Sequence, residues 1–142
     1  MIGPFKGDYT FLSNFAVAPV CFRGIWYSTN EHWYQSSKAR TQTQKMRIIE
    51  APTAAEAKRR GREVGLVTDF DKDKLYVMHF GLLLKFGQHP DLAQRLIATG
   101  DEDLVEVNTW DDTYWGMCLE NGQLVGENHL GKLLMTVRKT LK

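Results

Sequence analysis

A chain of 142 residues, 43% hydrophobic and 25% charged, has the composition of one ordinary globular domain and none of the bias that marks disordered or fibrous proteins. Its 18 basic and 17 acidic residues leave a formal charge of +1, so no global field steers it to nucleic acid or an anionic membrane, and any such contact must be local. Two cysteines are too few for a disulfide framework, no apolar run reaches the roughly 18 residues of a membrane span, and the opening segment has no secretory signal pattern, so a reducing cytoplasm is the expected location.

The opening segment is rich in aromatic and β-branched residues. Arg23-Gly24 lies between Val20-Cys21-Phe22 and Ile25-Trp26-Tyr27, the pattern of a β-hairpin. Ser28 and Glu31 have the form of a capping box, predicting a helix from about Thr29 to Arg40. A short helix is expected over Thr43 to Ala51. The capping pattern then recurs at Thr53 and Glu56, predicting a helix to about Arg62. Asp71 is a plausible N-cap for a helix with Leu75, Met78, Leu82, Leu83 and Phe86 on one stripe, closed by Gly87.

Pro90 suits the first turn of a further helix stopped at Gly100. Leu104 to Val107 alternates like a half-buried strand, and Asn108 to Asn128, with Gly116, Gly122 and Gly126, should form turns and short strands. A last helix is expected from about Asn128 to Leu141. No linker or repeat divides the chain, so the expectation is a single domain over 1–142, α+β and mainly helical, with a few short strands.

Two places concentrate chemistry. Glu31, Tyr34, Gln35 and Lys38 are spaced i, i+3, i+4 and i+7 and would share a helix face. An exposed face of this kind is ordinary polar helix surface; an inward one must pair its groups and becomes a candidate site. In Trp110-Asp111-Asp112-Thr113-Tyr114-Trp115-Gly116, two carboxylates lie among three aromatic rings on a predicted loop. Rings can stack on a base and an acid can accept from sugar hydroxyls, although a turn with aromatic packing and an acidic cap would read the same way.

The basic segment Lys58, Arg59, Arg60 and Arg62 fits either a solvated helix surface or a local anion contact. The histidines His32, His79, His89 and His129 have no zinc-binding spacing and read as surface or packing residues, and no phosphate-cradling glycine motif is present. Neither a metal nor a cofactor is expected.

Five blocks, in order, resemble those of the NADAR (YbiA-like) family: Phe11-Leu12-Ser13-Asn14-Phe15, Glu31 to Ala39, Ala57-Lys58-Arg59-Arg60-Gly61-Arg62, Asp112-Thr113-Tyr114-Trp115-Gly116 and Asn128 to Arg138. The sequence departs from the family pattern at Asn108-Thr109-Trp110, where a Ser-Pro pair is frequent. The resemblance implies a mainly helical α+β fold and N-glycosidase chemistry, cleaving the bond between a base nitrogen and a ribose-family sugar. It implies two substrate classes: phosphorylated intermediates of riboflavin biosynthesis, and ADP-ribose on guanine, with DNA as one carrier. A nucleotide-binding module that holds ADP-ribose without cleaving it is the alternative.

Carried over position by position, Glu31 falls on the family's essential carboxylate and Lys38 on the amine of the same motif, while Asp112 and Trp115 match the acidic and aromatic positions of the loop. Glu31 would stabilise positive charge at the anomeric carbon. Lys38 could attack an opened sugar as a Schiff-base nucleophile if burial or neighbouring positive charge lowers its pKa. Asp112 would move a proton or bind hydroxyls, and Trp115 would stack. Asn14, Phe15, Gln35, Arg62, Gly116 and Asn128 are the substrate-binding candidates, with Asn128 at a helix start that suits an anion.

Overall fold

The computed structural model describes residues 1–65, 67 and 69–142. They form a mainly helical α+β fold that divides into two compact units: Asn14–His89, and Met1–Ser13 with Pro90–Lys142.

In the Asn14–His89 unit, β1 (Val17–Phe22) pairs antiparallel with β2 (Ile25–Thr29), with Cys21 opposite Trp26 and Phe22 opposite Ile25. Arg23 and Gly24 both take positive φ, 52° and 78°, as a tight two-residue turn between twisted strands requires. The register shifts between Val17 and Val20, at Pro19, which has no N–H for the ladder.

Helix α1 (Asn30–Ser36) follows directly, capped by Thr29 rather than Ser28: Thr29 Oγ1 accepts from the His32 N–H at 3.1 Å. It also ends before Arg40. Ser37 Oγ and Ser36 Oγ both donate to the Trp33 carbonyl, at 2.7 and 3.1 Å, and such local side-chain bonds compete with the helical ladder. Lys38 therefore lies in the turn after α1. His32 is a packing residue, donating from Nε2 to the Ala51 carbonyl at 2.9 Å.

Thr41 caps α2 (Gln42–Ile49) and Thr53 caps α3 (Ala54–Gly61), the latter through the predicted bond to the Glu56 N–H at 3.1 Å. The small buried residues Ala54, Ala57 and Gly61 bring α3 close to α1. Helix α4 (Phe70–Gln88) starts earlier than predicted, behind Asp69 with φ 64°, and includes Gly87 instead of stopping there. Its Met78, Leu82 and Phe86 join the core.

In the other unit a 3₁₀ helix, Gly7–Leu12, buries Phe11 and Leu12. Adjacent apolar residues carry no helical period, which is why this turn was not foreseen. Helix α5 (Pro90–Ala98) begins on the predicted proline. Leu104 to Val107 is not a regular strand but a pair of isolated parallel bridges, Ile2 with Leu104 and Val107 with Met117. The main-chain amide of Glu106 donates to the Asn128 side chain, drawing that backbone group away from a ladder. β3 (Cys118–Glu120) and β4 (Gln123–Val125) form a hairpin through Asn121-Gly122, again with φ positive at both turn positions. Helix α6 (His129–Leu141) packs Leu130, Leu134 and Val137 inward. No helix among the described residues is long and apolar enough to cross a membrane.

Candidate active site

Within the Asn14–His89 unit the polar face of α1 is turned inward. Glu31 is 6% exposed, and its Oε1 accepts from Gln35 Nε2 at 2.7 Å. Its main-chain N–H donates to the Asn14 carbonyl at 3.1 Å. Asn14 is itself held: its Oδ1 accepts from Asn30 Nδ2 at 2.8 Å, and both asparagine amides reach Met78 Sδ, at 3.4 and 3.3 Å. The solvated-surface reading of this face is thereby set aside for Glu31 and Gln35.

Lys38 is half-buried beyond the end of α1, with Nζ 5.2 Å from the centre of the Tyr34 ring. Burial, above all, pushes its pKa below the ordinary lysine value; the nearby cations Lys58, Arg62 and Lys74 push the same way, while Glu31 opposes them. Lys58 lies in α3 and Arg62 is its C-cap, four residues on, and Lys58 Nζ lies 5.8 Å over the half-exposed Phe15 ring. The other two cations of that segment have a different fate. Arg59 binds Glu56 and Glu63, Arg60 binds Glu56, and these partners, Arg59 foremost, hold the Glu56 carboxyl down to about 2.

In the second unit the loop candidates are organised around Asn108, which is 4% exposed. Its Oδ1 accepts from the Trp110 and Asp112 amides and from Cys118 Sγ, and its Nδ2 donates to Glu106 Oε2 and the Asp112 carbonyl. Asp112 Oδ1 in turn accepts from the Tyr114 and Trp115 amides at 3.1 and 2.9 Å, so the acidic cap foreseen for this turn is present. Trp115 meets Tyr114 edge-on at 4.9 Å, and Tyr114 lies 4.4 Å from His129. Gly116 is buried where any Cβ would overlap Glu106 and Asn108. Asn128, with φ 52°, bridges the Glu106 amide and the Leu104 carbonyl and makes no side-chain cap to α6.

The structure thus groups Asn14, Phe15, Glu31, Gln35, Lys38 and Arg62 in one unit, and Asp112, Trp115, Gly116 and Asn128 in the other. Lys74 and Asn30 were not singled out by sequence reasoning, Met78 was read only as part of an apolar helix stripe, and Asn108 only within a departure from the family pattern. Lys58 was visible only as part of an ambiguous charge run. Among the described residues no group of His, Cys, Asp and Glu could hold a metal ion.

The sequence pattern of the NADAR domain matches residues 3–142. The chain belongs to the NADAR family. It is 36% identical over 136 residues to the N-glycosidase YbiA of Escherichia coli strain K12, covering 94% of this chain and 82% of that protein. A riboflavin biosynthesis protein of Vibrio vulnificus is 34% identical over 137 residues, which are 95% of this chain but 36% of that longer protein. The NMR structure of E. coli YbiA superposes with a TM-score of 0.84 at 34% identity, over 99% of this chain and 82% of that one.

Proposed function

We propose that this NADAR protein is an N-glycosidase that hydrolyses the bond between a base nitrogen and C1 of a phosphorylated ribose. The observation that carries the reading is the half-buried Lys38, its pKa lowered by desolvation and by Lys58, Arg62 and Lys74, in electrostatic reach of the buried Glu31 carboxylate. An amine that gives up its proton more readily than an ordinary lysine and a buried carboxylate are two groups that cleavage at an anomeric carbon can use. Three further cations suit a substrate that carries phosphate. The names of the E. coli and V. vulnificus relatives support the same chemistry.

In the proposed reaction the C1–ring oxygen bond breaks, the oxygen keeping the electron pair and taking the proton of the base N–H, and Glu31 stabilises the positive charge that develops at C1 as the imine of the base forms. Lys38 Nζ adds to C1, and the C1–nitrogen bond to the base breaks. The base nitrogen keeps the electron pair and takes both protons that the lysine amine gives up in becoming an imine. Water then hydrolyses the Lys38 imine, restoring the amine and freeing the sugar. In the second unit, Asp112 is proposed to bind a hydroxyl or relay a proton and Trp115 to stack on a ring. Asn14, Phe15 and Arg62 are proposed to contact substrate beside Glu31 and Lys38.

The substrate carrier is tested by incubating the protein with ADP-ribosylated guanine DNA and, in parallel, with phosphoribosyl pyrimidine intermediates of flavin synthesis. Mass spectrometry should detect free base in one arm. Borohydride added during turnover should trap a sugar on Lys38. Binding without release of base or sugar in either arm would establish the non-catalytic ADP-ribose module instead, and repeated failure to trap an adduct from an active preparation would rule out the covalent route.

A further inference from the structure

The geometry points to Gln35 as the residue that positions Glu31, with Gly61 as the wall that fixes the Gln35 amide, rather than as a contact to substrate. The inference rests on the role proposed for Glu31. Gln35 is 4% exposed, and its Nε2 donates to Glu31 Oε1 at 2.7 Å. Its own Oε1 is buried and has no hydrogen-bond donor among the described residues. A buried amide oxygen without a donor is costly, and such groups in native proteins call for a reason. Here the reason is the carboxylate. Rotating the amide by half a turn would set its oxygen against Glu31 Oε1, two acceptors face to face, so Glu31 dictates which end of the amide it meets.

The orphaned oxygen is pressed against α3. A Cβ built on Gly61 would overlap Gln35 Oε1, Cδ and Cβ, so only glycine lets the helix pass this close. The device repeats at the start of the same helix, five residues earlier. Asn30 donates from Nδ2 to Asn14, its Oδ1 is buried without a donor, and that oxygen abuts Gly81 of α4, where a Cβ would overlap it. α1 is thus wedged between two glycines, each backing an amide whose N–H end faces the residues that carry Glu31. The wedge fixes a rotamer, not merely a fold.

The test separates positioning from packing. Gln35→Met keeps length and volume but removes the donor and the orphaned oxygen together. kcat should fall on the order of 10²-fold, as misplacing a reacting group does, with KM within about threefold of wild type. The melting temperature should stay close to that of the wild type, because losing the orphaned oxygen offsets the donor that Glu31 loses. A second arm does not depend on Gln35→Met: Gly61→Ala should lower kcat in the wild type and have no further effect in a Gln35→Ala background, where the amide it displaces is absent.

Wild-type kcat in Gln35→Met, a loss confined to KM, or equal effects of Gly61→Ala in both backgrounds would overturn the inference. Should Gln35→Met fail to fold, the Gly61 cycle decides alone. Glu31→Gln keeps the two failures apart: wild-type turnover in that variant removes the role of Glu31 itself, whereas a dead Glu31→Gln beside an active Gln35→Met removes only the positioning.

Discussion

The two units secure their candidate residues by opposite means. In the Asn14–His89 unit, Glu31 and Gln35 stand one helical turn apart and bond to each other, so side chains on a regular element fix side chains. In the other unit, Asp112 spends one oxygen on the Tyr114 and Trp115 amides, and Asn108 ties the rest of the loop. A carboxylate held by a side chain keeps its charge available for chemistry, whereas one that caps a turn is first of all part of the chain's shape. The sharpest way to break this contrast is kinetic. Glu31→Gln should lower kcat by roughly 10²–10³-fold, the cost of removing one electrostatic group aimed at developing charge, without a change in melting temperature. Asp112→Asn retains the capping oxygen and should cost about tenfold or less, the lower range for a single acid–base or hydroxyl contact. A larger loss from Asp112→Asn than from Glu31→Gln, with both variants folded, would reverse the assignment.

The contrast extends to buried cations. Arg138, in the second unit, meets burial with acceptors: its guanidinium donates to Thr99 Oγ1 and to the Glu102 carbonyl, both at 2.9 Å. Lys85 of α4 is 1% exposed, and burial pushes its pKa down to about 7. The unfolded chain holds that proton up to the model-compound range near 10.5, so between about pH 7 and 10.5 the unfolded state binds more protons and stability rises with pH. Below about pH 7 both states are protonated and the dependence ends. Urea titrations at pH 7 and pH 10 should show wild type gaining on the order of 3 kcal/mol more than Lys85→Met over that interval. A flat difference between the two proteins would mean that Lys85 keeps its charge on folding.

What the sequence disclosed follows the same division. The i, i+4 spacing of Glu31 and Gln35 was legible because a helix repeats, and the capping pattern at Thr53 and Glu56 because the cap is local. Lys38 was placed on the helix face because seven residues make two turns, yet Ser36 and Ser37 end α1 before that second turn closes. The depressed pKa of Lys38 was unreadable, since it depends on cations from α3 and α4 whose approach is set by tertiary packing. Alternation at Leu104 to Val107 suggested a strand, but alternation records which side chains are buried and not where the backbone bonds go. Asn108 carried no periodic signal. Its position was noticed only as a departure from the family's pattern.

That departure gives the smallest effect and the finest test. Asn108 makes five hydrogen bonds with one amide, three accepted and two donated, and four of them have both ends within Asn108–Cys118. One side-chain amide thus orders this loop. Asn108→Ala leaves the Trp110 and Asp112 amides without their acceptor next to the buried Gly116, a loss of about 2 kcal/mol in stability. Because Glu31 and Lys38 lie in the other unit, kcat at saturating substrate should change less than KM, which should rise by about tenfold as Trp115 loses its fixed orientation. Hydrogen exchange should localise the loosening to the amides of Trp110 to Trp115. Protection lost throughout α6 as well would show that the asparagine holds the unit's core rather than its loop, and the division between a chemical helix and a shaped loop would then have to be redrawn around Asn108.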